Sequence, residues 1–195
     1  MLRLTEPQTE DLVAIVNAAS LVISSIASLF TIFLSIRLIR ERNKISWRMV
    51  ETCTRSLLKE IQASSFNPDV VIGVGRGGAI LGGMLAGNMG HLPLFVIDTI
   101  LDKTDGLSAA HIRYPEVLPD LAGKRLLLAV GELYSGQDLR AALELAKSKA
   151  PATIKTVSLF SHPASSIKPD FVGRETKQPL SAPWRMSDVY RTRRL

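Results

Sequence analysis

Residues Asp69–Gly78 read Asp-Val-Val-Ile-Gly-Val-Gly-Arg-Gly-Gly. An apolar run (Val70, Val71, Ile72, Val74) feeds a glycine-rich turn that carries one arginine, Arg76. A helical spacing follows at once in Ile80, Leu81, Met84, Leu85 and Met89. The pattern predicts a strand that delivers glycines to the start of a helix. Glycine lets the backbone approach closely, and the open N–H groups of a helix start attract an anion. The ligand expected from this stretch carries phosphate. The structural alternative is a tight turn that only packs a strand on a helix.

Outward from this stretch, strand and helix patterns alternate. Ser46–Ala63 has an amphipathic spacing in Trp47, Val50, Leu57, Leu58 and Ile61, with Ser46 as N-cap, and Asn67-Pro68 then breaks the chain. Val70–Val74 reads as a strand and Ala79–Met89 as a helix ending near Gly90. Leu94–Ile97 reads as a strand ending at Asp98, and Thr99–Ala122, with Gly106, Pro115 and Pro119, as an irregular stretch. Arg125–Val130 is an apolar strand, Gly136 leads into a helix over Leu139–Lys149, and Ile154–Phe160 is another strand. The tail from Ser161 is proline-rich and lacks periodicity. This order predicts an α/β fold, a parallel sheet flanked by helices. Ligands bind such sheets beyond the C-terminal ends of the strands, where the glycine turns at Gly75 and Gly136 both fall.

The chain has 195 residues, 46% of them hydrophobic, which excludes a disordered protein. Leu12–Ile36 holds about 25 positions without a charge, enough to cross a bilayer as a helix. A secretory signal peptide would have a shorter apolar core after a basic start, whereas Glu6, Glu10 and Asp11 precede this run. The expected organisation is a short non-cytoplasmic N-terminus over 1–11, a transmembrane helix over 12–36, a basic linker over 37–45 and a cytoplasmic domain over 46–195. Arg37, Arg40, Arg42 and Lys44 set that orientation. Ser20, Ser24 and Ser28 recur every fourth residue, a spacing that lets two helices approach in lipid and implies a homo-oligomer. Part of the net charge of +6 sits in the linker and in Arg185, Arg191, Arg193 and Arg194, where it suits anionic lipid rather than nucleic acid. Cys53 is the sole cysteine, so no internal disulfide forms, and its helical pattern makes it a small buried residue.

Gly73, Gly75 and Gly78 spell G-x-G-x-x-G, and Asp98 closes the next strand where a dinucleotide-binding fold places its ribose-binding acid. An NAD(P)-binding domain is therefore one alternative. A P-loop is excluded, because Ala79 and Ile80 stand where Lys and Ser/Thr are needed.

Three further segments point elsewhere. Pro68–Gly78 contains a short Arg-Gly-Gly turn after the first strand. Gly123-Lys-Arg-Leu-Leu-Leu-Ala-Val leads into Gly131-Glu-Leu-Tyr-Ser-Gly136 and a helix. His162-Pro163, Lys168–Val172 and Ala182-Pro-Trp184 follow in the tail. In this order the segments resemble a type I phosphoribosyltransferase of the purine branch, over about three quarters of the chain. The resemblance implies transfer of ribose 5-phosphate from phosphoribosyl pyrophosphate (PRPP) to a nucleobase, with Mg2+ on the pyrophosphate. It implies that Gly75, Arg76, Gly77 and Gly78 bind pyrophosphate, and that Glu132, Ser135, Gly136 and Gln137 bind the ribose and 5-phosphate. Glu132 and Tyr134 would be the catalytic residues, and His162 and Trp184 would line the base pocket.

The chain departs from that pattern in its most demanding motif. Gly131 replaces the first of two adjacent acids, Tyr134 replaces an aspartate near the base, Ser161-His162 replaces a lysine-bearing pair, and Pro179 replaces a stacking aromatic. Two function classes follow: a membrane-tethered transferase, or a catalytically inactive protein that senses a nucleotide and signals through its anchor. His91 and His111 read as surface or loop histidines, Asp102 and Asp105 as solvated loop carboxylates, and Asp138 as a helix-dipole residue.

Overall fold

A computed structural model describes residues 6–42, 44–104, 107–113, 118–178 and 180–184. Asp105, Gly106, Pro115, Pro179, Arg185, Arg191, Arg193 and Arg194 lie outside the described residues, as does the side chain of Asp102. The chain divides into two compact units, Met1–Lys44 and Ile45–Leu195.

The first unit is one helix, α1 (Glu6–Arg42, 37 residues). Within it Ile15–Arg37, 23 residues of mean hydropathy 2.1, is long and apolar enough to cross a membrane. Five of its hydroxyl side chains are satisfied within the helix. Ser24 and Ser25 donate to the Leu21 carbonyl, Ser28 to Ser24, Thr31 to Ala27 and Ser35 to Thr31. A lipid environment therefore meets no unbonded O–H at these five positions.

The second unit runs α2 (Trp47–Ala63), β1 (Val70–Val74), α3 (Gly75–Asn88), β2 (Leu94–Thr104), β3 (Leu107–Arg113), β4 (Arg125–Leu133), α4 (Gln137–Ser148), β5 (Thr153–Ser161) and β6 (Phe171–Glu175). The six strands form one sheet in the order β3-β2-β1-β4-β5-β6. Every neighbouring pair is parallel except β2 with β3. The parallel α/β class expected from the alternation is thus the one observed.

Strand alternation distributes the core over two faces. Val71, Leu127, Ala129, Val157 and Leu159 meet Val50, Leu57 and Ile61 of α2 and Leu81 and Leu85 of α3. Val70, Ile72, Val74, Leu126, Leu128 and Val130 turn the other way, onto Leu139, Ala142 and Ala146 of α4 and onto Leu118 and Leu121. Ser46 caps α2 as expected, accepting from the Met49 N–H at 3.2 Å. Cys53 is buried where α2 crosses β6. Burial pushes its thiol pKa up, against a smaller opposing effect of Arg174. Trp47 differs from the expected core face: it is 56% exposed.

Two strands go beyond the sequence reading. The stretch expected to be irregular after Asp98 carries β2 on to Thr104 and returns as β3, with Thr104 opposite Leu107. The tail expected to lack structure contributes β6 at the sheet edge.

Candidate functional site

β1 and β4 are parallel neighbours, with Val74 opposite Val130, so both leave the sheet at the same rim. β1 passes directly into α3 at Gly75, and β4 passes through Tyr134, Ser135 and Gly136 into α4. Gly75–Gly78 and Ser135–Gln137 are therefore two helix starts side by side on one edge. Each presents N–H groups that lack partners within its helix. Gly75 has φ +64 and Gly136 φ +86, left-handed conformations that suit glycine. Neither helix has a side-chain cap at its N-cap residue, Val74 or Gly136. Ser135 Oγ accepts a long 3.4 Å bond from the Gln137 N–H. The exposed Arg76 makes no hydrogen bond or ion pair among the described residues.

Position 131 has no room for a side chain. Leu127, Ala129 and Gly131 share the strand face on which α3 lies, and their side chains shrink towards the rim as the helix start closes in. A Cβ added to Gly131 would stand 2.5 Å from Gly77 Cα, and one added to Gly77 would stand 2.9 Å from Gly131 Cα. A Cβ on Gly78 would collide with the Ala129 carbonyl oxygen. The two backbones touch because neither glycine has a side chain. Glu132 belongs to the alternate set of β4 with Leu128 and Val130, and both its carboxylate oxygens are shielded from solvent. Among the described residues no three His, Cys, Asp or Glu side chains gather as a preformed metal site.

The segment after β5 folds back over the second helix start. Ser166 donates from its N–H and its Oγ to the Ser135 carbonyl at 3.2 and 2.8 Å. Arg140 Nη2 reaches Ser166 Oγ at 3.3 Å. A Cβ at Gly136 would stand 2.9 Å from the hydroxyls of Ser165 and Ser166, a second reason for glycine there. Nothing in the residue pattern pointed to Ser165 or Ser166. Beside them a cavity of about 470 Å³ is lined by Ala110, Ser135, Gln137, Arg140, Ala141, Glu144 and Ser166. A second cavity, about 360 Å³ between Leu58, Phe66, Pro68 and Met89, opens near the start of β1, at the opposite rim.

The remaining candidates sit in the tail or against it. The Tyr134 hydroxyl accepts from the Leu180 N–H at 2.6 Å, and its ring lies 6.2 Å from that of His162. His162 Nδ1 accepts from the Ala164 N–H at 3.1 Å, and its Nε2 lies 3.1 Å from the Lys177 carbonyl. Both ring nitrogens are thus engaged by backbone. The Trp184 ring lies against Gly77, with Nε1 and Cζ2 each 3.2 Å from the position a Cβ there would take. The fold therefore brings Gly75–Gly78, Glu132, Ser135–Gln137 and Trp184 to one rim. Asp98 lies on β2, where its Oδ1 accepts from the Thr99 N–H and its Oδ2 lies 4.0 Å from Arg113 Nε on β3.

The sequence pattern of the phosphoribosyl transferase domain family matches residues 46–191. The solved purine phosphoribosyltransferase from Pyrococcus horikoshii Ot3 is 29% identical, with a TM-score of 0.66 over 72% of this chain and 91% of that one. The Helicobacter pylori xanthine-guanine-hypoxanthine phosphoribosyltransferase has the same fold at 21% identity and TM-score 0.63, over 74% of this chain and 93% of that one. A hypothetical protein from Neisseria gonorrhoeae, solved with bound ppGpp, has it at 18% identity and TM-score 0.62, over 75% of this chain and 92% of that one. No curated protein matches the sequence.

Proposed function

Because the chain belongs to the phosphoribosyl transferase domain family, we propose that its soluble unit binds PRPP, or a nucleotide of similar charge, across the rim and that α1 holds it at a membrane with this unit in the cytoplasm. The observation that supports this most is the adjacency of two uncapped helix starts at the ends of β1 and β4. A sugar with a phosphate at each end needs two anion cradles at one edge. Arg76 and the N–H groups of Gly77 and Gly78 would take the pyrophosphate. Those of Ser135, Gly136 and Gln137 would take the 5-phosphate, and Glu132 the ribose hydroxyls.

Family membership puts one reaction first: ribose 5-phosphate leaves pyrophosphate for a nucleobase nitrogen, in a pocket shaped by His162 and Tyr134. As the bond to the leaving group breaks, negative charge grows on the pyrophosphate. Prearranged N–H donors and a guanidinium stabilise that charge at little reorganisation cost. Mg2+ typically takes one or two carboxylates and completes its shell with substrate phosphates and water. Glu132, the carboxylate on β4, would help hold such an ion, which would neutralise part of the pyrophosphate charge.

A second reading is nucleotide sensing without turnover. Gly131 favours it, because its contact with Gly77 leaves no room for the first acid. Tyr134 favours it too, since its hydroxyl is committed to the tail. The ppGpp held by the Neisseria gonorrhoeae neighbour makes pyrophosphate-bearing nucleotides the ligands to test beside PRPP.

The deciding experiment uses the full chain in lipid nanodiscs with PRPP, Mg2+ and a panel of bases. Pyrophosphate release with any base establishes the transferase. Tight binding of PRPP or ppGpp with no release establishes the sensor. In either case Arg76→Ala is expected to weaken binding by roughly tenfold to a hundredfold, the worth of one hydrogen bond to a charged group. Its melting temperature should stay unchanged, since Arg76 has no protein partner among the described residues. Absence of binding to every phosphorylated ligand would overturn both readings.

A further inference from the structure

Trp47 and Trp184 are the only tryptophans in the chain, and the fold sets them against each other. Their ring centroids are 6.1 Å apart with planes inclined at 56°. Trp184 is half-buried against the core under α2 and α3. Trp47 stands at the first position of α2 and is 56% exposed, with the other indole beside it. The Trp184 edge that carries Nε1 and Cζ2 addresses Gly77, in the first turn of α3. Its N–H has no acceptor among the described residues.

We propose that Trp184 is a pyrophosphate-binding residue, its indole N–H donating to a phosphate oxygen held at Gly75–Gly78, and that Trp47 is the positioning residue that keeps the ring there. The proposal rests on the PRPP-binding reading and deepens it, since it moves Trp184 from the base end of the ligand to the pyrophosphate end. An indole N–H donates and never accepts, so it suits an acceptor-only anion. The same turn already offers the open helix-start N–H groups and the Arg76 guanidinium. Three kinds of donor then converge on one short segment. The indole donor comes from the tail and is steadied by α2, which begins three residues after the anchor unit ends at Lys44. Occupancy of the turn is thereby linked to the stretch of chain nearest the anchor.

The test uses the full chain in nanodiscs and inorganic pyrophosphate, PRPP and a nucleoside 5-monophosphate as probes. Trp184→Phe keeps the ring and removes the donor. It is expected to bind pyrophosphate and PRPP about tenfold more weakly, as for one hydrogen bond to a charged group, with monophosphate affinity unchanged. Trp47→Ala should show the same selective loss, and Trp47→Phe should restore it. In Trp47→Phe the sole remaining indole is Trp184, so its emission should change saturably with pyrophosphate. Wild-type affinity for pyrophosphate in Trp184→Phe overturns the proposal while the PRPP-binding reading stands. Equal losses for all three probes also overturn it, because they report a general structural role. If the wild-type chain binds no pyrophosphate and no PRPP, the underlying reading falls and the proposal with it.

Discussion

Gly131 occupies a position where the family resemblance calls for a carboxylate, and its neighbours show what a side chain there would displace. Residues on one face of β4 alternate inward towards α3, and the helix start is nearest at the last of them. Gly131→Asp would therefore drive a Cβ into the Gly77 backbone. The expected result is a destabilised protein, by about 1–3 kcal/mol as for overpacked cores, rather than a repaired site. Thermal denaturation beside a pyrophosphate-release assay checks this; release above the wild-type level at an unchanged melting temperature would refute it. Tyr134 has a separate task, tying the tail to the rim through Leu180. Tyr134→Phe leaves the Leu180 N–H without that acceptor and should cost about 1 kcal/mol. Increased proteolysis after residue 178 is the corresponding readout.

Among the elements, two strands are preceded by Pro-Asp, and in each case the aspartate clamps the strand beside it. Asp69, before β1, accepts from Arg125 at the start of β4 through N–H, Nε and Nη2, at 2.8, 3.1 and 2.7 Å. Those hydrogen bonds hold its pKa down to about 2 from an ordinary 3.8. Asp170, before β6, accepts from Lys155 Nζ at 2.7 Å and from the Thr156 N–H and hydroxyl at 2.8 Å. Burial pushes that carboxyl up, but the hydrogen bonds outweigh it and leave its pKa below the ordinary value. A carboxyl whose folded pKa is depressed adds stability that is full above its unfolded pKa and disappears as pH falls through the folded one. The Asp69 clamp should hold down to about pH 4 and fail towards pH 2, and the Asp170 clamp should weaken in the same direction as the pH falls. Asp69→Asn should lower stability at neutral pH and flatten its fall between about pH 4 and 2; denaturant melts at several pH values measure this.

The same elements show what the residues disclosed and what they hid. β1, β4, β5 and the helices were legible because they are buried, and burial imposes an apolar run or a helical period. Ser46 was legible as a cap because capping is local. β3 was hidden although Asp105-Gly106, a strong hairpin dipeptide, separates it from β2; Asp98, Asp102 and Lys103 interrupt the apolar pattern that marks a strand. β6 was hidden because only Phe171 of its five residues is buried and Gly173 breaks its β character. At the rim, the glycines of the first turn were read as ligand-binding. Their second role, admitting Gly131 and Ala129, involves residues more than fifty positions away and has no local signature. Trp47 was read as core because helical spacing gives a phase but not the edge of the buried face.

At the scale of the whole molecule, one chain joins a helix long and apolar enough to cross a membrane to an α/β unit. In α1 the Ser24 and Ser28 hydroxyls are satisfied within the helix, and Ser20, Ser24 and Ser28 are small enough to let another helix approach. If the span self-associates there, replacing the three serines with leucine should reduce energy transfer between labelled copies in vesicles, while the soluble unit keeps its ligand affinity. Unchanged transfer would remove the oligomer expectation. The α/β unit, for its part, assembles its rim from two strand–helix corners that are remote in sequence and lie backbone to backbone at Gly77 and Gly131. Half of such a grip cannot survive the unravelling of the other half. Bound sugar phosphate should therefore defend the entire domain at once, raising its melting point in step with the logarithm of ligand concentration.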